Sequence, residues 1–290
     1  MPYIGADTWL VAQDHHREVV AQWTFPRLNR RSLGQKHPVD DFMFEYYPIS
    51  VNKLSLWHPG TEFQLEVRDD CTNSFDLTVY EVTDVVQVRA QWLLEKAEAI
   101  SKDIDLLKST LKRSARTGCF GLHEWAMVLG QTEYRHNDWN LRISQAQVAK
   151  TIDEIGLRCT HFDAFRFFTE QARPMNPLQL TRADQNTVEQ PGCLHANMDL
   201  YKISMRWAPV VGSSLVRQCF RLAREIRTLD MRGAPYDLAD LGVAPIKIET
   251  AAGRKEFTKM QKAFSDRAQV LRSKILSKLE QQKFASVTQL

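Results

Sequence analysis

The sequence predicts a mainly α protein, a multi-helical globular bundle or array with one small β-hairpin. Two observations carry that expectation. Apolar residues recur at helical spacing in stretches that begin near Asp7, Thr83, Ser144, Cys193, Ser213 and Thr250. Alternation of apolar and polar residues is confined to 61–67 and 75–79. At 290 residues the chain can bury one large core or two smaller ones. The expected organisation is a helical catalytic or binding domain over 1–250, with the hairpin near 61–80. A basic helix over 251–290 then packs on the same domain.

In chain order, Asp7 caps a first helix with Trp9, Leu10, Val19, Val20 and Trp23 inward, and Pro26 bends or ends it. Pro38 suits the first turn of a short helix that Pro48 closes, with Asp40 and Asp41 at its positive end. There His37, Asp41 and Glu45 either line a site or only compensate the helix dipole. The two alternating runs, joined by a polar connection from Arg68 to Ser74, make the hairpin. Thr83 or Asp84 opens a long helix to about Arg116. Gly118 and Gly121 then bring backbone close to another element, ahead of a short buried helix carrying His123 and Glu124. Tyr134 to Asn140 is a polar loop. Ser144 caps a helix that Gly156 stops, and Pro191 and Gly192 precede a helix from Cys193. Ser213 and Ser214 cap the next helix, which exits into a turn holding Asp230, Arg232, Tyr236 and Asp237. The last helix docks by a narrow stripe, Phe257, Met260, Phe264, Val270, Leu271, Ile275 and Leu279, and turns a basic face outward.

Hydrophobic content of 43% with 25% charged residues is that of an ordinary globular protein. A net charge of +3 demands neither nucleic acid nor membrane, although the basic residues from Arg254 to Lys283 leave DNA open as a partner. Five scattered cysteines without a C-x-x-C pair predict reduced thiols in a cytoplasm. No signal-peptide pattern and no run approaching roughly 18 apolar residues is present, so a membrane is not an expected partner.

The chemistry-bearing residues cluster as histidines with carboxylates. His195 and Asp199 are four apart on one helix and share a face, with Lys202 close behind. They are either a buried pair that only orients the helix or a functional pair. His161 and Asp163 lie beside Phe162, Phe165, Phe167 and Phe168, and Arg166 among them either stacks on a flat ligand or edges an aromatic core. Without metal, Asp163 and Asp199 would position water while His161 and His195 move a proton. Alternatively His123, Glu124, His161, His195 and Asp199 are ligands of a transition metal, iron, zinc or manganese. His123, His161, Asp163, His195 and Asp199 are expected to converge on one cavity. The chain has no P-loop, GxGxxG fingerprint or GxSxG elbow, which disfavours phosphate cradling and serine hydrolysis.

Five segments also carry a resemblance: His-Pro-Val-Asp-Asp-Phe at 37–42, Trp-His-Pro-Gly at 57–60, Gly-Leu-His-Glu-Trp-Ala-Met at 121–127, Thr-His-Phe-Asp-Ala-Phe-Arg-Phe-Phe at 160–168 and Glu-Gln-Pro-Gly-Cys-Leu-His at 189–195. Across about 37–238 the wording resembles a bacterial family labelled 3-methyladenine DNA glycosylase. The resemblance implies a hydrolase that flips an alkylated purine out of DNA and releases it, with a carboxylate stabilising the sugar cation. Substrate contacts are then expected from Arg166, Phe165, Trp125, Arg232, Tyr236 and Asp237. Two other readings stay open: a metal-dependent enzyme acting on a small molecule, and a non-enzymatic ligand-binding or interaction protein.

Overall fold

The structure, a computed structural model, describes residues 1–68, 74–133 and 138–287. Its elements run β1 (Tyr3–Ile4), α1 (Ala6–Ser32), α2 (Phe42–Glu45), α3 (Val51–Ser55), β2 (Gln64–Glu66), β3 (Tyr80–Val82), β4 (Val85–Val88), α4 (Ala90–Lys112) and α5 (Leu122–Ala126). There follow α6 (Gln145–Ile155), α7 (Phe162–Phe165), α8 (Gln185–Val188), α9 (Leu194–Arg206), α10 (Ala208–Val211), α11 (Ser213–Gly233) and α12 (Ala251–Val287). The protein is mainly α-helical with a small sheet, and no described helix is long and apolar enough to cross a membrane.

Helix α9 sits at the centre. Every residue from Leu194 to Tyr201 is buried, as a helix surrounded by other helices must be. It packs on α11 and α12, and α12 also crosses α4 and α10. Along α11, Leu215, Cys219, Leu222, Ala223, Ile226, Leu229 and Asp230 recur at three- and four-residue steps and all are buried. Burying about ten large apolar side chains on these helices at roughly 1.5–3 kcal/mol each is what sets the bundle geometry.

Helix α12 turns Lys255, Lys259, Lys262, Arg267 and Lys274 outward as expected, but its docked face is wider than the stripe expected from the sequence. Phe257, Gln261, Phe264, Ser265, Ala268, Leu271, Arg272, Ile275 and Leu279 are all buried along it, whereas Val270 is exposed. Arg272 points inward and donates to the Ala196 carbonyl (3.2 Å) and to Asn197 Oδ1 (2.8 Å). Outward charges are partly spent within the fold: Lys262 on Asp266, Arg267 on Glu225 and Lys278 on Glu62.

The sheet also differs from the expected hairpin. Its order is β1-β2-β4-β3, with β1 parallel to β2 and the other pairs antiparallel. The tight hairpin joins β3 to β4, with Tyr80 opposite Val88 and Val82 opposite Val86. Thr83 and Asp84 are therefore its turn, not the start of a helix. Val85, Val86 and Val88 make a β-branched run that favours extended backbone, so α4 opens only at Ala90. The Arg68-to-Ser74 connection and the Tyr134-to-Asn140 loop lie largely outside the described residues. A satellite core of Trp9, Leu65, Phe75, Tyr80 and Val86 joins the sheet to α1.

Two further differences have simple causes. Helix α1 passes through Pro26 to Ser32, because Arg27 and Arg30 beyond the proline are anchored on buried Asp41 (2.9 and 2.5 Å). Asp41 also accepts from the His37 backbone N–H (2.9 Å), so it serves as an internal anchor. Asp230 and Arg232 lie in the last turn of α11 instead of the following loop. The Ser144 cap holds as expected, with Gln147 completing a capping box.

Candidate active site

Two backbone segments deliver the clustered histidines. Phe120 (φ 45°) and Gly121 (φ 70°) are consecutive left-handed residues, a strained turn that opens α5. A β-carbon on Gly121 would lie 3.3 Å from Asp230 Oδ1, so glycine lets this turn settle on the end of α11. Gly192, in the loop before α9, lies so close to the Arg116 backbone that any side chain would collide with it. Gln190 ties the same place together: its Oε1 accepts from the Arg116 and Gly192 N–H groups (2.7 Å each), and its Nε2 donates to the Arg116 carbonyl (3.1 Å). Gln261 of α12 donates to the Gly192 carbonyl (2.6 Å). Residues 116–121 and 189–195 are thus held to one another before either presents its histidine.

The result is a buried row of three imidazoles. The His123 and His195 ring centroids are 4.3 Å apart, and those of His195 and His161 are 5.2 Å apart. At one end His123 Nε2 lies 3.3 Å from Asp230 Oδ2 and 3.7 Å from Glu124 Oε1. Arg227, fully buried, bridges those two carboxylates at 2.5 and 2.7 Å. At the other end His161 Nε2 lies 3.4 Å from both Glu189 Oε1 and Asp199 Oδ2. Asp199 also accepts from the Tyr47 hydroxyl (2.9 Å) and faces Lys202 (3.6 Å).

Charge is unevenly distributed along the row. Burial pushes the His123 pKa down, but Asp230 and Glu124 outweigh it and raise it to about 10. His161 is raised in the same way, by Glu189 and Asp199 against burial. His195 is held well below the usual histidine value by burial and by the cationic His123, His161 and Arg227 around it. Burial pushes Asp199 up, yet its bond to His161, with Lys202 and Tyr47, brings it down to about 2. The acidic neighbours thus favour the protonated form at the two ends of the row, while burial and the flanking charges favour the neutral form at its middle.

Among the described residues, no hydrogen bond joins the His195 ring to another group, while His123 Nε2, both ring nitrogens of His161 and Asp230 Oδ1 are buried without a hydrogen-bond partner. One ligand atom each from His123, His195 and Asp230 lie within 4.8 Å of one another. Tetrahedral zinc bonds of about 2.0–2.1 Å place ligands roughly 3.4 Å apart, so small side-chain rotations would close this group on an ion. Both imidazoles would bind as neutral ligands, which requires His123 to give up its proton.

The expected site residues divide into three groups. His123, His161, His195, Asp199 and Glu124 converge, and Asp163 adjoins them through Lys202 (3.5 Å). His195 and Asp199, however, face different partners: Asp199 belongs with His161, Tyr47 and Lys202, and the carboxylate grouped with His195 is Asp230. The expected substrate contacts lie elsewhere. Trp125 is core and donates to the Gly233 carbonyl (2.8 Å), and Phe165 is buried against Phe168. Arg166 pairs with Asp163 (3.4 Å) and lies over Phe167 (4.2 Å). Arg232 bonds the Ala244 carbonyl (3.0 Å) and Glu256, buried Tyr236 bridges to Leu141, and exposed Asp237 caps Ala239 (3.1 Å). Arg227, Glu189 and Tyr47 join the site without having been expected there, and Asp230, expected only in a polar turn with Arg232, Tyr236 and Asp237, proves to be the carboxylate beside His123 and His195. For Arg227 and Asp230 a signal existed, since helical stepping from Ala223 and Ile226 puts both on the buried face of α11.

Beside the row is a cavity of about 20 Å³, room for one water-sized species, lined in part by Cys119, Cys159, Cys193 and the three histidines. Burial raises the Cys159 thiol to about 12 and pushes Cys193 up as well, so both are unreactive thiols at neutral pH. A second pocket of about 450 Å³ adjoins this cavity. Comparison of the chain with protein families, curated proteins and solved structures finds no match. Function is therefore argued from the site itself.

Proposed function

We propose that this protein is a metal-dependent enzyme acting on a small molecule, with a single transition-metal ion held by His123, His195 and Asp230. The observation that supports this most is the convergence of those three ligand atoms within 4.8 Å, with His123 Nε2 and Asp230 Oδ1 buried and without a hydrogen-bond partner among the described residues. Two imidazoles and a carboxylate suit zinc, iron or manganese. Such an ion would polarise a substrate oxygen or lower the pKa of a bound water. Arg227 would hold Asp230 and Glu124 in place around it, and Asp199, tied to His161, would serve the adjoining end of the cavity.

Elemental analysis of protein purified without chelator tests the reading. About one equivalent of zinc, iron or manganese is expected, removable by chelator and restored on adding the ion, with a higher melting temperature when loaded. Metal-free protein that releases methylated purines from alkylated DNA, unaffected by chelator, would favour instead the base-releasing hydrolase that the resemblance implies.

A further inference from the structure

The second pocket shares Cys119, Arg158, Cys159 and Thr160 with the small cavity, so a wall that carries two thiols is common to both spaces. The charged side chains on its described lining are Arg116 and Arg158, with no carboxylate beside them. Both are exposed, and neither guanidinium bonds a described residue. Neighbouring arginines differ: Arg113 donates to the Glu189 carbonyl (2.7 Å), and Arg182 pairs with Asp163 (3.0 Å). The wall carrying Arg116 is fixed by Gln190 and by its contact with Gly192, so that charge is placed by a rigid backbone. Pro177 and Leu178 supply an apolar side. At about 450 Å³ the pocket has the size of a small-molecule site.

We propose that this pocket binds an oxyanion group of the substrate, a phosphate or a carboxylate, through Arg116 and Arg158. The rest of the molecule then reaches past Cys119 and Cys159 toward His123 and His195. The planar guanidinium fork matches both anions, and two such groups with no competing acid favour negative charge here. The inner end of this assignment rests on the metal-dependent reading; the oxyanion site does not.

Calorimetric titration of the full chain with inorganic phosphate, and separately with acetate, at constant ionic strength tests it. Saturable binding of phosphate is expected, weakened about tenfold or more in Arg158→Ala and in Arg116→Ala. Arg158→Lys should retain part of the affinity. Both arginines are exposed and unbonded, so melting temperature and metal content should not change. Saturable acetate binding with the same dependence on the arginines would identify the group as a carboxylate. No saturable binding of either anion, or binding as tight in both alanine variants as in the unaltered protein, would overturn the proposal. Arginine-dependent anion binding by protein that takes up no zinc, iron or manganese even when the ion is added would support the oxyanion site while removing the metal-dependent reading.

Discussion

His16 and His195 are both buried histidines on long helices, and both have pKa values lowered by burial, yet their surroundings have opposite meanings. His16 Nε2 donates to the Leu54 carbonyl (3.0 Å) and its Nδ1 accepts from Arg217 (2.9 Å), so its neutral tautomer is fully used. Among the described residues no hydrogen bond joins the His195 ring to another group, and the ring faces two other imidazoles. A lowered pKa does not tell the two apart; the accounting of hydrogen bonds does. One position stabilises the fold, and the other, under the proposed reading, is kept open for a ligand.

The largest effect tests the neighbourhood of His195. Arg227→Met removes the guanidinium that bridges Glu124 and Asp230 in the interior and leaves only His123 to offset their charge. Breaking a buried pair from one side costs about 3–5 kcal/mol, read by urea unfolding in the presence of chelator. A bound cation beside Asp230 would offset part of that loss, so the same variant should recover stability when zinc is added. No difference between the two conditions would weaken the contrast with His16.

Next comes the comparison itself. His16→Leu strands the Leu54 carbonyl and Arg217, which should cost about 1–3 kcal/mol and leave metal content unchanged. His195→Leu strands no described partner, so stability in chelator should hold or rise while metal is lost. Equal destabilisation in both variants would make His195 another structural histidine.

The pH dependence is more gradual. Burial, with Arg217 nearby, lowers His16 to about 4, and burial, with His16 nearby, lowers His58 to about 4, from 6.5 in each case. The unfolded chain then binds protons below pH 6.5 that the fold refuses. Stability is full above that value and is lost as pH falls toward about 4. Urea midpoints measured between neutral and mildly acidic pH should decline, and more shallowly in His16→Leu. The smallest effect is expected at Arg166, whose half-exposed pair with Asp163 is worth about 0–1 kcal/mol, with no change in metal content for Arg166→Ala.

The fold was legible where a local pattern coincides with a tertiary need. The Ser144 cap, the period of α11 and the entry to α9 at Cys193 all read correctly from sequence. The strands did not, because Gln64–Glu66 pairs with Val85–Val88 across a long interval that alternation alone cannot assign. Helix α12 was misjudged because Gln261, Ser265 and Arg272 look like solvent residues, although partners on other elements bury them. In the site, short motifs revealed His123, His161 and His195 individually. Which carboxylate goes with which histidine depends on the crossing of α5, α9 and α11, and no spacing within one segment encodes that.

The most direct test of the account is therefore made on those carboxylates. Zinc titration by calorimetry of Asp230→Asn and Asp199→Asn, beside the unaltered protein, separates a metal ligand from its neighbour. The account predicts that Asp230→Asn loses about tenfold to a hundredfold or more in affinity. Asp199→Asn should keep one tight site, because its oxygens serve Tyr47 and His161 instead. Loss of the site in Asp199→Asn with retention in Asp230→Asn, or no zinc binding by the unaltered protein, would contradict it.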